Sequence, residues 1–199
     1  MSSDGLKKLI AAFREVDALP VEVEDIRQKI IDLGFQDEII IQGVHGDPGH
    51  IKGVFYQYKM TPAVYAEKIL CTVIGFNLAN PLPWQRLSCA KELMHVFDDD
   101  LERTNTAAEL DRLMDKLLGP MSTDDVGLAD LMALKDKMAL YEAIPILFPI
   151  AARNACLNAL AAGFIAKEEV IIQACLPPPI CELVLGDDWP KWLELLNDC

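Results

Sequence analysis

The chain lacks any apolar run long enough to cross a membrane. A helix that spans a bilayer takes about 20 predominantly apolar residues, and the richest apolar segment, residues 143–152, contains two prolines and is followed by Arg153. The apolar core of a signal peptide is missing as well, because charged side chains interrupt the N-terminal helical pattern, namely Asp4, Lys7, Lys8 and Arg14. These absences predict a cytoplasmic protein.

Positive charge is also scarce. The 199 residues include 18 Lys and Arg against 31 Asp and Glu, which gives a formal net charge of −13. The densest cationic spot is Lys7-Lys8. Because a phosphate backbone is bound by clustered Lys and Arg, this composition argues against nucleic acid as a direct partner. It allows a basic protein partner, although an acidic balance most often only keeps a chain in solution.

Closely spaced pairs of cysteines are absent from the sequence too. The six cysteines form no C-x-x-C pair and lie mostly in apolar runs, where free cysteine packs as a small core residue. Since no secretory signal precedes them, a disulfide framework is not expected. The six positions are Cys71, Cys89, Cys156, Cys175, Cys181 and Cys199.

Apolar residues make up 52% of the chain, which is ample for a core, and their periodicity changes along it. Helical spacing at the N-terminus gives way to short β-rich runs at 38–43, 53–58 and 69–74, and helical spacing then resumes. This order predicts an α+β fold with a small mixed or antiparallel sheet of two to four strands. We divide it into N-terminal helices (1–34), a central domain (35–150) and a helical C-terminal extension (151–199) packed on that domain.

The later helices are predicted from apolar stripes and from their end signals. Pro83 suits the first turn of a helix over 84–98, Ser122 to Asp124 can cap a further helix, and Gly163 suits the position just after a helix. The predicted spans are 84–98, 110–118, from 122 towards Pro145 or Pro149, 151–162, 166–174 and 189–196.

The most informative motif is Lys91-Glu92-Leu93-Met94-His95. A zinc-peptidase helix carries His-Glu-x-x-His, because residues i and i+4 share a helix face and together hold one metal ion while the Glu acts on the bound water. Here the base, Glu92, and the second histidine, His95, are present, but the first ligand position is Lys91. A lysine ammonium has no lone pair to give to zinc.

The segment Arg86-Leu-Ser-Cys-Ala-Lys-Glu-Leu-Met-His95 resembles the ImmA/IrrE family of zincin-like metallopeptidases, in which an Arg and an Ala lead into His-Glu-Leu-x-His. The resemblance covers roughly residues 35–150. It implies a third ligand, a Glu, from a later helix, and residues 138–149 look like that segment. Aligned on Phe148-Pro149, the ligand position falls on Met138, with Glu142 one turn further on as a displaced substitute. A thioether is a poor zinc ligand, so no metal or other cofactor is expected.

Lys91 suggests a replacement for the metal. Its side chain starts where that of a ligand histidine would start. Its ammonium is expected to neutralise Glu92, and also Glu142 if that side chain points inward. A buried carboxylate left alone is costly or becomes protonated. Glu92 is then the ancestral general base of a site that has lost its chemistry, and Lys91, His95 and Met138 or Glu142 are vestigial ligand positions.

Three functions follow from these residues. In the first, the chain is a catalytically inactive zincin-like protein that binds another protein; the resemblance implies prophage or mobile-element regulation, with a DNA-binding regulator as partner. In the second, it is an active zinc peptidase with a rearranged metal site that uses His95, Glu142 or an acid from Asp98 to Asp100, with Glu92 as the base. In the third, it is a helical interaction protein whose resemblance is accidental, and no strands precede Lys91.

Other candidate residues have plainer interpretations. Trp84 and Arg86 would line a groove for a partner, but packing at the start of a helix explains Trp84 equally well. Three acids, Asp98 to Asp100, resemble an oxygen site for calcium or magnesium, yet such a run between helices is usually solvated or caps the next helix. His45 and His50 flank a Gly/Pro turn and are expected in an exposed loop.

Overall fold

The computed structural model describes residues 4–46, 53–61, 68–98 and 128–198. Two short helices come first, α1 over Asp4–Phe13 and α2 over Val23–Asp32. Apolar residues recur at helical spacing along both helices, and five of them are buried in the core: Leu6, Leu9 and Phe13 of α1, and Ile26 and Ile30 of α2. Gly34 follows α2 with a φ of 100°, a left-handed conformation that favours glycine. Both predicted N-terminal helices are therefore confirmed.

A three-stranded mixed sheet follows. Strands β1 (Glu38–Val44), β2 (Gly53–Met60) and β3 (Ile69–Asn77) lie in the order β1-β3-β2, with β1 parallel and β2 antiparallel to β3. The central strand β3 is the most buried, and Thr72 and Ile74 on its inner face are fully inaccessible. The predicted small mixed sheet is confirmed, and each strand runs slightly beyond its predicted bounds.

Helix α3, over Leu82–Met94, lies at the centre of the fold. It begins after Pro81 with Pro83 in its first turn, and a 3-10 turn over His95–Phe97 continues it. Most of its residues are buried, because it packs on β2 and β3 on one side and on α2 and a later helix on another. The predicted helix over 84–98 is therefore present, with its last residues wound more tightly.

Five helices form the C-terminal half of the part of the chain that the structure describes. They are α4 (Leu128–Leu147), α5 (Ile150–Ala161), α6 (Lys167–Ala174), α7 (Pro178–Leu185) and α8 (Trp189–Asp198). Helix α4 continues through Pro145 and ends before Pro149. Gly163 closes the region after α5 with a φ of 71°, as predicted. The predicted helix over 110–118 and the cap at 122–124 lie outside the described residues. The α+β fold class is confirmed.

The apolar second half of α4 belongs to the core. Ala143, Ile144 and Ile146 are inaccessible to solvent. Among the described residues, no single helix is long and apolar enough to cross a membrane, and α4 and α5 meet that test of length and composition only together, across a bend of 62°.

Arg153 joins α5 to the end of α7. Its side chain is buried and donates hydrogen bonds from Nε to the Val184 carbonyl at 2.6 Å and from a terminal nitrogen to the Gly186 carbonyl at 2.9 Å. The last carbonyls of a helix have no partner within the helix and carry partial negative charge. A guanidinium therefore satisfies the end of α7 and fixes it against α5.

Substitution of Arg153→Met should lower the free energy of unfolding by about 2–3 kcal/mol, because it removes two charge-assisted hydrogen bonds and leaves the α7 carbonyls unpaired. Urea denaturation followed by circular dichroism measures the change. Lys167→Met is the matched control, since it also removes a cation but from a half-exposed pair with Glu182 at 3.6 Å, and it should shift stability by less than about 0.5 kcal/mol. Equal effects of the two substitutions would contradict this role of Arg153.

Candidate functional site

Charged side chains from α3, its 3-10 turn and α4 meet beside the sheet. We call this group the α3–α4 charge cluster; it consists of Lys91, Glu92, His95, Asp98 and Asp136. Glu92 is only 4% exposed, and the side chains of His95 and Asp98 are each 13% exposed. Burial of this degree makes each charge dependent on its neighbours.

Lys91 joins two carboxylates of the cluster. Its ammonium lies 3.1 Å from Glu92 Oε1 and also donates a hydrogen bond to Asp136 Oδ1 of α4. The pairing with Glu92 that the sequence predicts is therefore present. Since Asp136 belongs to a different helix, the same ammonium ties α3 to α4.

His95 is held by carboxylates on both sides of its ring. Nδ1 lies 2.6 Å from Asp98 Oδ2, and Nε2 lies 3.6 Å from the same Asp136 Oδ1 that Lys91 contacts. The ring also meets Phe55 of β2 edge-on, with ring centres 5.9 Å apart. Both nitrogens thus face acceptors, an arrangement that suits the doubly protonated imidazolium.

The pKa shifts agree with this arrangement. Burial alone would lower the pKa of His95, but its interactions with Asp136 and Asp98 outweigh burial and raise the pKa to about 9. Burial would raise the pKa of Asp136, yet His95 and Lys91 lower it to about 2. Burial also opposes the charged form of Lys91, and the charges of Glu92 and Asp136 overcome it and raise its pKa. At neutral pH, Lys91 and His95 are therefore cations and Asp136 is a carboxylate.

The helix residue that meets Lys91 and His95 is Asp136, two residues before Met138. Met138 is half-buried in α4. Glu142 lies close enough to the cluster that the charge of Asp98, after burial, raises the pKa of Glu142, while the charge of His95 opposes this. The alignment on Phe148-Pro149 predicted Met138 or Glu142 at the third ligand position. The carboxylate that contacts Lys91 and His95 instead belongs to Asp136.

The donor set of the cluster does not fit a zinc ion. Lys91 supplies an ammonium, which has no lone pair to give to zinc at the first ligand position, and a metal ion would have to displace a proton from His95. Among the residues that the structure describes, no group of three His, Cys, Asp or Glu side chains has the arrangement of a metal site. Nearby Cys89 is no nucleophile at neutral pH, because burial raises its pKa to about 12.

Arg86 and Trp84, the two predicted groove residues, face different surroundings. Arg86 is buried and donates hydrogen bonds to the Val21 carbonyl at 2.5 Å and to Glu22 Oε2 at 2.8 Å. It therefore fixes the start of α2 against α3 and is not open to a groove. Trp84 lies half-exposed in the first turn of α3.

The remaining candidate residues lie apart from the cluster or outside the described residues. His45 is exposed after β1, as predicted, and His50 lies outside the described residues. Asp98 was expected to be solvated or to cap a helix, but it is largely buried beside His95 because it neutralises the imidazolium. Asp99 and Asp100 also lie outside the described residues.

Sequence reasoning missed the roles of Asp136 and Asp98, although each leaves a signal. Asp98 follows His95 at a spacing of three, which brings two side chains together on a helical turn. Asp136 precedes the buried residues Ala139 and Ala143 of α4 by three and seven positions, so it lies on the apolar stripe of that helix. An acid on an apolar stripe needs a partner, and Lys91 supplies one.

Strand β2 lies directly against the cluster. A methyl group added to Gly53 would come within 2.6 Å of Glu92 Oε1, so the backbone of β2 and this carboxylate are in close approach. Within the described residues, β2 is an edge strand. Tyr56 and Tyr58 lie on its other face, stacked on one another with ring centres 5.9 Å apart, and both are exposed.

Substitution of Lys91→Met should lower the free energy of unfolding by about 2–4 kcal/mol, because it leaves the buried Glu92 without its cation and removes one of the two cations beside Asp136. Adding Glu92→Gln and Asp136→Asn to the same chain should recover part of this loss, since fewer charges are then stranded. Lys137→Met, which removes an exposed lysine next to Asp136, is the control. If Lys91→Met and Lys137→Met gave the same midpoint in urea, Lys91 would not neutralise the cluster.

Stability should also fall as the pH rises from about 6.5 to about 9. The folded protein holds the His95 proton with a pKa of about 9, against 6.5 for an ordinary histidine. This contribution is therefore fully present below pH 6.5 and is lost as the pH passes through 9. The loss is on the order of 3 kcal/mol. Urea midpoints measured across this range should fall in the wild type and in His45→Gln, and should be nearly flat in His95→Gln.

No protein-family model, curated protein or solved structure matches this chain. The function is therefore argued from the geometry and chemistry of the α3–α4 charge cluster and of the strand beside it.

Proposed function

We propose that this chain is a catalytically inactive, zincin-like protein of the ImmA/IrrE type that acts by binding another protein. The observation that carries the proposal is the position of Lys91. Its ammonium contacts Glu92 and Asp136 at the place on α3 where a zinc peptidase carries its first ligand histidine. The Lys91 ammonium thus lies where, in a zinc peptidase, the metal ion would neutralise these carboxylates.

The loss of chemistry follows from the state of the three central groups. A zinc hydrolase needs unprotonated imidazole for the metal and a free carboxylate to take a proton from the bound water. Here His95 carries two protons at neutral pH, and Glu92 is engaged by Lys91. No group in the cluster is left to activate water, so the proposed role is recognition.

The edge of β2 supplies a surface for that recognition. An edge strand offers backbone N–H and C=O groups that an extended segment of a partner can pair with, while side-chain contacts add specificity. The exposed pair Tyr56 and Tyr58 supplies apolar contact area at low entropic cost. We place the partner beside β2, and we expect it to be a regulatory protein met in the cytoplasm.

The two alternative functions differ in what they require. An active peptidase with His95, Glu142 and Glu92 requires zinc to displace the Lys91 ammonium and to remove a proton from His95. The helical protein with an accidental resemblance required no strands before Lys91, and three strands precede α3, so that alternative is wrong about the fold.

Zinc content tests the proposal directly. Purified wild-type protein, dialysed against trace zinc, should hold well below one equivalent by mass spectrometry. Lys91→His should gain close to one equivalent, because it places a second imidazole at the i, i+4 spacing from His95 with Asp136 as a carboxylate ligand. The double variant Lys91→His with His95→Ala is the control and should lose this zinc.

One equivalent of zinc in the wild type, lost in His95→Ala, would contradict the proposal and favour the active peptidase. Peptidase assays with Glu92→Gln as the inactive control would then follow. Failure of Lys91→His to bind zinc in a folded protein would instead contradict the zincin-like arrangement of the site.

Photo-crosslinking in the cells of origin tests the binding role. A photoreactive amino acid at Tyr56 should give one adduct of defined mass. The same group at Lys167, which is exposed on α6, should not give this adduct. Equal labelling from both positions, or none from Tyr56, would contradict a partner at the β2 edge.

A further inference from the structure

A cavity on another side of the molecule lies between α1, the junction of α4 with α5, and α8. Its volume is about 260 Å³. Its walls are mostly apolar and include Ile10 and Ala11 of α1, Pro145 of α4 and Leu193 of α8. None of these residues belongs to the α3–α4 charge cluster, so the cavity is independent of the proposed function.

Two cationic side chains lie at the wall of the cavity. Lys7 of α1 and Arg14, which directly follows the last residue of that helix, both line it. The neighbouring Lys8 pairs with Asp4 at 2.5 Å, whereas neither Lys7 nor Arg14 has an ion pair within the described part of the chain. Among the described residues that line the cavity, Glu194 contributes the one carboxylate.

Two faces of helix α1 therefore have different surroundings, the core on one side and the cavity on another. Leu6, Leu9 and Phe13 are buried in the core, while Lys7 and the apolar Ile10 face the cavity. On the opposite wall, α8 is held in place by stacking of Trp192 on Tyr141, with ring centres 5.7 Å apart and planes 3° from parallel. This stacking joins α8 to α4, and both helices contribute residues to the cavity.

We propose that this cavity binds a small monocarboxylate with an apolar tail. A cavity of about 260 Å³ lies near the lower end of the roughly 300–1,000 Å³ that small-molecule sites occupy. Its size therefore suits a short ligand, and we assign it a fatty carboxylate of about six to eight carbons. The tail contacts Ile10, Pro145 and Leu193, and the carboxylate lies at the rim between Lys7 and Arg14, where opposite charge and hydrogen bonding favour it.

Equilibrium dialysis with radiolabelled octanoate at low ionic strength tests the proposal. The wild type should bind one octanoate per chain. The double variant K7A/R14A should bind it about tenfold more weakly, because two partly exposed charge pairs are lost. K8A is the matched control: it removes a cation from the same helix without touching the cavity and should bind like the wild type.

Two further measurements separate the tail from the charge. Octanol, which has the same tail without the carboxylate, should compete at least about tenfold less well than unlabelled octanoate. A11L, which fills the cavity from α1, should abolish stoichiometric binding, with a thermal melt to show that the variant is folded. Absence of octanoate binding, equal binding by K7A/R14A and K8A, or equal competition by octanol would each overturn the proposal.

Discussion

The site depends on a single ammonium group that pairs with two carboxylates from different helices, one buried (Glu92) and one partly buried (Asp136). Lys91 contacts Glu92 on its own helix and Asp136 on α4, and His95 approaches the same Asp136 oxygen. A zinc ion would bring two positive charges to such a place, and the Lys91 ammonium and the His95 imidazolium together also bring two. Two cations of the chain therefore neutralise the carboxylates around them, and both ring nitrogens of His95 face acceptors.

Helix α3 connects the charge cluster to the rest of the fold through polar contacts near both of its ends. Near its start, Arg86 is bonded to Val21 and Glu22 ahead of α2, and near its end Lys91 is bonded to α4. Between these contacts the helix is buried on nearly all sides against the sheet and its neighbours. Because polar contacts are directional and apolar packing is not, the two cations set the register of α3, while the apolar residues supply the stabilisation.

The sequence predicted the elements better than it predicted the cluster. Strand positions and helix ends follow from local signals such as the periodicity of β1 and the position of Gly163, and these signals act within a few residues. The contact between Lys91 and Glu92 is also local. Asp136 is 45 positions from Lys91, and its meeting with Lys91 depends on the rotation of α4, which a motif aligned on Phe148-Pro149 does not define. A shift of two residues along a helix turns a side chain by about 200°, enough to exchange Met138 for Asp136.

Stability alone is a weak reason for a protein to carry this cluster. Apolar residues of similar volume in place of a buried ion pair are often neutral or stabilising, so the charges contribute more to position than to free energy. They hold α3 and α4 beside β2, where Gly53 touches Glu92. The partner strand proposed for that edge would meet carboxylates that are already paired, so charge attraction would offer it little. Its recognition would then rest on backbone pairing and on the exposed rings of Tyr56 and Tyr58, with shape and hydrogen-bond register as the basis of specificity.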